Sequence, residues 1–569
     1  MKIFLRFSVM AAMVMTGCLH ISAQDQYINH KSMSQKINSM VSEYSGMCTV
    51  KSLVKTAGGK DIWVITVGTG NKDNKPGIAI LGGIEGSHIL GKELAFGFAE
   101  LLLKNSSSPE IKGLLDKVTF YVFPDVSPDA TEQFFAPVKY ERIANSRSTD
   151  DDRDFLFNED PFEDLNNDGL ITLIRVSDQA GTFMESDEDR RIMAPAQVSK
   201  GQKGSYFVYS EGIDNDKDNL FNEDSEGGVS FNRNLSYNYE EFGAHAGLHA
   251  VSEPESKAVL DFLFDHFNIY ATFAFGPQDN LGQPMKAAER TGNTTQSSQR
   301  PQTLEQGQFQ GQFQRSDLMR MTGQERKFTS ILKSDEAINK LVSEKYHEIT
   351  GVKGAPAAKS PPGNFMEWAY FHYGRYSFST PAWWFPVERE KNAEVMFLKF
   401  AEENKIEDVF VPWTEIIHPD FPDKKTETGG IRPFAMINPP AEKLEDLITK
   451  NYQFIITVAA MHPELEFLDI NVEKSEGNLF RLTLKVHNKG IFATCAESGA
   501  LNMWTRLMRI KLETSKNQKF LSGQPIQRLP RLEGGQSEEL NWVILGKGTV
   551  KISAGAINTG IISTSAELK

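Results

Sequence analysis

Residues Ile78 to Glu93 read Ile-Ala-Ile-Leu-Gly-Gly-Ile-Glu-Gly-Ser-His-Ile-Leu-Gly-Lys-Glu. A short apolar run ends in a Gly pair, and Leu90, Leu94, Phe98 and Leu102 then recur at helical spacing. The pattern predicts strand, tight turn, helix. In an α/β fold, ligands collect in the turn beyond the carboxyl end of a strand. This turn holds Glu85 and His88, a carboxylate and an imidazole three residues apart. Zinc accepts both donor types, so the two form a candidate metal pair. The competing reading is a mutual side-chain hydrogen bond within the turn.

Outward from this stretch, Ile62 to Val67, Val118 to Val122 and Asn268 to Phe275 read as further strands. They alternate with helical patterns, which predicts a mostly parallel sheet covered by helices on both faces. From residue 461 the texture changes. Phe480, Leu482, Leu484 and Val486 alternate with polar residues, as do Val550, Ile552 and Ala554. This predicts a C-terminal antiparallel β-sandwich over 461–569. With 569 residues, two or three domains are expected. The formal charge of −14 excludes a nucleic-acid-binding surface of the usual basic kind.

Residues 1–23 have the form of a secretory leader: Lys2 and Arg6, an apolar run from Val9 to Val14, then Ile21-Ser22-Ala23. Met15-Thr16-Gly17-Cys18 is a rival cleavage box, which would attach a lipid at Cys18. No later segment is long and apolar enough to span a membrane. Cys48 and Cys495 are too few for a disulfide scaffold, with one pairing open to them.

The motifs, taken in order, resemble the zinc carboxypeptidase family (carboxypeptidase A-like) over residues 24–460. In that family a Gly-Gly-Ile turn carries His-x-x-Glu as two zinc ligands. Here Glu85 stands at the His position and His88 at the Glu position. Phe123-Pro124-Asp125-Val126-Ser127-Pro128-Asp129 resembles the family's Asn-Pro-Asp-Gly loop. Phe231-Asn232-Arg233-Asn234 resembles the pair that grips the substrate's terminal carboxylate, which suits a guanidinium. Arg175 is the candidate for the family's oxyanion-stabilising arginine. The third ligand's place falls on Phe275 or Gly276, and no His lies between His266 and His347. The general base's place falls on Pro381, and Glu388 and Glu390 lie too far along the chain to substitute. Trp383 and Trp384 offer an apolar wall beyond it. His245 and His249, four apart, sit among Gly residues that favour a loop over a chelating helix.

The resemblance therefore implies zinc as the family cofactor and peptide or cell-wall peptide ends as ligands, with the hydrolytic groups replaced. Three functions stay open: a binding protein without hydrolysis, a metallocarboxypeptidase with a rebuilt site, and a scaffold for the β-sandwich.

An acidic insert spans 148–228. Asp150 to Asp160 repeats in register as Asp214 to Asp224, and Asp164-Leu-Asn166-Asn-Asp168-Gly169 lies between. Alternating oxygen side chains suit calcium, which takes six to eight oxygens. The candidate ligands are Asp150, Asp152, Asp154, Asp164, Asn166, Asp168, Asp214, Asp216 and Asp218. A solvated acidic loop is the competing reading. Residues 285–325 are rich in Gln, Ser, Thr and Gly and predict a loop without a core.

Overall fold

The computed structural model describes residues 27–149, 157–158, 160–217, 221–222, 227–288, 329–357, 360–388, 390–502 and 504–569. Residues 1–23, read above as a leader, with Cys18 among them, and most of the Gln-rich stretch, Asp150, Asp152, Asp154 and Asp218 lie outside them. Among the described residues, no helix is long and apolar enough to cross a membrane. Cys48 and Cys495 are both buried free thiols, each pushed up to about 11 by burial.

The strands in chain order begin with β1 (Cys48–Lys55), β2 (Asp61–Val67), β3 (Gly77–Leu81) and β4 (Thr119–Phe123). The insert contributes β5 (Leu173–Ser177), β6 (Phe183–Glu185), β7 (Met193–Pro195) and β8 (Tyr206–Ser210). β9 (Ile269–Phe275), β10 (Tyr376–Thr380), β11 (Phe410–Ile416) and β12 (Thr426–Ile431) follow. The first sheet has the order β1-β2-β4-β3-β9-β10. β4, β3, β9 and β10 run parallel, and the β1–β2 hairpin closes one edge antiparallel.

Period-two alternation sends successive side chains to opposite faces, so both faces need cover. Ile78, Ile80, Phe120 and Val122 pack with the helices Ile89–Lys104 and Leu444–Ala459. Ala79, Leu81, Tyr121 and Phe123 pack with Pro254–Asp265 and Phe365–Phe371. Phe120, Val122 and Phe123 have no exposed surface, and each such side chain stabilises the fold by roughly 1.5–3 kcal/mol.

The described residues of the acidic insert form strands rather than loops alone. Its strands join β11 and β12 in a second, antiparallel sheet, β11-β12-β5-β8-β6-β7. The insert leaves and returns at one point, because Asn145 N donates to Val229 O at 3.0 Å.

Beyond Leu465 lie β13 (Leu465–Lys474), β14 (Leu479–Asn488), β15 (Arg509–Glu513), β16 (Lys519–Ser522), β17 (Ile526–Arg528), β18 (Ser537–Leu545), β19 (Gly548–Ala556) and β20 (Gly560–Leu568). They form two four-stranded antiparallel sheets, β13-β14-β18-β16 and β17-β15-β19-β20, around Leu482, Trp542 and Ile552.

Candidate functional site

The turn after β3 is shaped by its glycines. A Cβ on Gly82 would lie 2.4 Å from the carbonyl oxygens of Gly91 and Pro124, and Gly83 has φ +62°. Only residues without a side chain let the β3 end, the following helix and the Pro124 loop meet so closely. The turn therefore projects Glu85 and His88 at the carboxyl ends of the parallel strands.

The two side chains go separate ways; the expected bond between them is not made. Glu85 Oε2 accepts from Asn232 Nδ2 at 3.1 Å. Burial pushes Glu85 above the usual carboxylate range, opposed by the Asn232 amide and the Arg233 charge. His88 Nε2 donates to the Pro381 carbonyl oxygen at 3.1 Å, and the ring also faces the Phe275 backbone. Burial pushes His88 down to about 4, so it is neutral at pH 7. His88 thus spans the ends of β9 and β10, where the resemblance places the third ligand and the base.

Asn232 sits in a short 3-10 turn, Phe231–Arg233, with no exposed surface. Besides Glu85 it donates to Gln278 Oε1 at 2.8 Å, and its oxygen accepts from Phe365 N at 3.0 Å. Both amide hydrogens and the oxygen are engaged inside the protein, which makes Asn232 a positioning residue. Arg233 is half-buried, and its buried Nε has no hydrogen-bond partner among the described residues. The buried Gln278 Nε2 is likewise unpartnered.

Arg175 lies elsewhere. Its Nε donates to Glu427 at 2.8 Å, its guanidinium stands 3.5 Å from Glu185, and it stacks over Trp413 in the second sheet. Sequence reasoning passed over a different arginine. Arg142 O would lie 2.9 Å from a Cβ on Gly86, which puts that backbone against the Glu85 turn. The Arg142 guanidinium donates to Ala144 O and Asn145 O at 3.1 and 2.8 Å. Arg142 and Asn232 are separated by the insert in sequence, yet the Asn145–Val229 contact makes their segments neighbours.

In the loop after β4, Asp125 accepts from Ser127 N and the Thr131 hydroxyl, so it is internal scaffolding. His245 and His249 donate to Gly228 O and Ala250 O, with His245 at φ +57° in a turn. Glu388 is ion-paired with Lys391 at 2.9 Å.

Tetrahedral zinc with catalytic access needs three protein ligands and an open position. Glu85 and His88 diverge, the His88 Nε2 is taken by a carbonyl, and Phe275, Gly276 and Pro381 offer no ligating side chain. The residues present do not fit the family's zinc. Among the described residues, no three His, Cys, Asp or Glu side chains form a group that could hold a metal ion.

The structure does bring Asp164, Asn166 and Asp168 together. Asp164 accepts from Asp168 N and Gly169 N at 3.1 and 2.7 Å, and Asn166 Oδ1 accepts from Asp168 N at 3.0 Å. Fully buried Glu211 accepts from Leu165 N and Thr172 N; burial raises it above the usual range, and the Asp168 charge adds to that. Asp214 is buried and its backbone N donates to Asp420 at 3.1 Å. Asp216 is described, but its repeat partner Asp152 is not.

Carboxypeptidase M of Mus musculus is 27% identical over 146 residues, covering 25% of this chain and 32% of that protein. Carboxypeptidase D of Homo sapiens is 27% identical over 141 residues, covering 23% and 10%. The chain therefore matches a third or less of the length of these curated relatives. The solved carboxypeptidase A from Helicoverpa armigera aligns at TM-score 0.40 and 12% identity, covering 77% of this chain and 74% of that one. Residues 464–567 match a domain of unknown function. The zinc carboxypeptidase family model matches residues 33–383, more than half of the chain and the whole turn from Gly82 to His88, and the chain belongs to that family.

Proposed function

We propose that the chain is a secreted member of the zinc carboxypeptidase family that binds peptide C-termini, dietary, host or cell-wall, without hydrolysing them. The observation behind this reading is the Arg233 guanidinium. It is half-buried beside Glu85, with a buried Nε that lacks a partner, while every polar atom of the Asn232 amide is committed to holding Glu85, Gln278 and Phe365. A terminal carboxylate would complete the hydrogen bonding that Arg233 lacks, and a guanidinium offers two parallel N–H groups for it. Hydrolysis requires a base that takes a proton from water, and at Pro381 only a backbone carbonyl is offered, already bonded to His88.

The leader over 1–23 supports export, and the division into 24–460 and 461–569 belongs to the same proposal. Structural calcium in the acidic insert is part of it too. It rests on the alternating oxygens of Asp164, Asn166 and Asp168 and on the nearby buried Glu211 carboxylate.

The test is calorimetry with an acetylated peptide carrying either a free or an amidated C-terminus. The free acid binds more tightly, and Arg233→Gln removes the difference. Equal binding of acid and amide to the native protein would sink the reading. A parallel zinc titration on calcium-loaded protein, with Glu85→Ala as control, separates the rebuilt-enzyme alternative: a tight site lost in that variant would favour it.

A further inference from the structure

A cavity of about 800 Å³ lies beside the turn that carries Glu85 and His88, within the size range of ligand sites. Asn438 forms part of its wall and is bonded to the turn twice, donating to Ser87 O and accepting from Leu90 N, each at 3.0 Å. Phe134 follows β4 and Trp383 follows β10, so the cavity belongs to the carboxyl end of the parallel strands. It sits on the His88 flank of the turn, since Trp383 is two residues past the Pro381 that His88 holds. Asn232, Arg233 and Gln278 gather at Glu85.

Tyr27, Phe134, Phe434 and Trp383 supply apolar wall, with Phe134 edge-on to Tyr27 and Phe434. Four cations line this cavity, Lys139, Lys405, Arg432 and Lys443, and Lys139 and Arg432 act on each other. Lys139 has no carboxylate partner among the described residues, and the charge acting on it is another cation, Arg432. Burial, reinforced by Arg432, lowers the Lys139 ammonium below its ordinary range. Arg432 pairs with Asp408, whose side chain is 81% exposed, so that ion pair is weak and leaves the guanidinium open to a second anion. Glu407 and Glu442 also line the cavity and make no ion pair with Lys139. A half-buried cation facing a like charge is unfavourable until an anion joins it.

We propose that this cavity receives an acidic side chain of a bound peptide, its carboxylate on Lys139 and Arg432 and its stem against Trp383 and Phe134. The inference rests on the proposed peptide-end reading in one respect: the acidic residue lies upstream of the terminal residue held by Arg233. The chain then selects acidic peptides, in spite of its own net negative charge.

The experiment is calorimetry with acetylated pentapeptides that differ only by Glu or Gln at one upstream position, each with a free or amidated C-terminus. At one position the Glu peptide binds about tenfold more tightly than the Gln peptide. Lys139→Gln abolishes that ratio and Lys139→Arg keeps it, with thermal midpoints confirming that both variants fold. Equal affinity for Glu and Gln peptides at every position, or a ratio that survives Lys139→Gln, overturns the inference. The acid-to-amide ratio and its loss in Arg233→Gln report separately on the terminal carboxylate, so failure of one reading is distinguishable from failure of the other.

Discussion

The imidazole of His88 is bonded to the backbone of Pro381, Nε2 to carbonyl oxygen, at 3.1 Å, and so fastens the turn after β3 to the end of β10. Burial holds the folded-state value near 4, against 6.5 in an unfolded chain. Between those values the unfolded chain binds more protons, so falling pH favours unfolding. The contribution is fully present above about pH 6.5 and is lost as pH falls toward 4. The stability difference between the native protein and His88→Gln should therefore narrow by about 3 kcal/mol from pH 7 to pH 4, read from urea midpoints at each pH.

Asn232→Ala strips partners from Glu85, Gln278 and Phe365 N, all buried. Each orphaned buried group costs roughly 1–3 kcal/mol. A loss of at least about 3 kcal/mol is expected in chemical denaturation. A loss below about 1 kcal/mol would mean that water replaces the amide freely and that the site is wetter than the burial indicates.

Asp335 and Arg531 join the first region of the chain to the C-terminal sheets, with Nη2 to Oδ1 at 3.0 Å and side chains 0% and 14% exposed. Tyr370 and the backbone N of Glu497 complete the Asp335 carboxylate. Arg531→Met leaves a buried carboxylate uncompensated, and a cost of about 3–5 kcal/mol follows. Combining it with Asp335→Asn should recover part of that loss. Trypsin cleavage near Lys489, timed in the single and double variants, reports whether the C-terminal sheets loosen.

Chelation tests the acidic insert. If calcium binds the Asp164–Asp168 turn, saturating ion at a hundredfold excess over Kd stabilises by about 2.7 kcal/mol, seen as a higher thermal midpoint. Asp168→Ala should abolish the calcium response while leaving the apo midpoint almost unchanged. An identical midpoint with and without calcium would dispose of the idea.

The central sheet was legible because Ile78–Leu81 and Val118–Phe123 are apolar on both faces and stop at Gly or Pro. The C-terminal sheets were legible for the opposite reason, a strict alternation in Phe480–Val486 that matches the buried positions of β14. The second sheet was not, since β6 and β7 have three residues each and half-buried side chains, too short for a period to register. The separation of Glu85 from His88 also lay beyond the sequence, because each side chain is claimed by a residue more than a hundred positions away. Gln278 carries no motif of its own, and its role appears only once Asn232 is seen to hold it. Arg142 was hidden by the length of chain between it and Asn232.

That length has a consequence for how such a protein can change. The excursion departs at Asn145 and rejoins at Val229 through a main-chain hydrogen bond, and it is stitched to the main body again where Lys139 bonds Gly169 and Ile171 and where β5 lies on β12. Material can be added to or trimmed from the excursion without shifting Asn232 or Arg233, provided all three seams hold. An insertion between β7 and β8, away from these seams, should therefore leave peptide binding at the cleft unchanged.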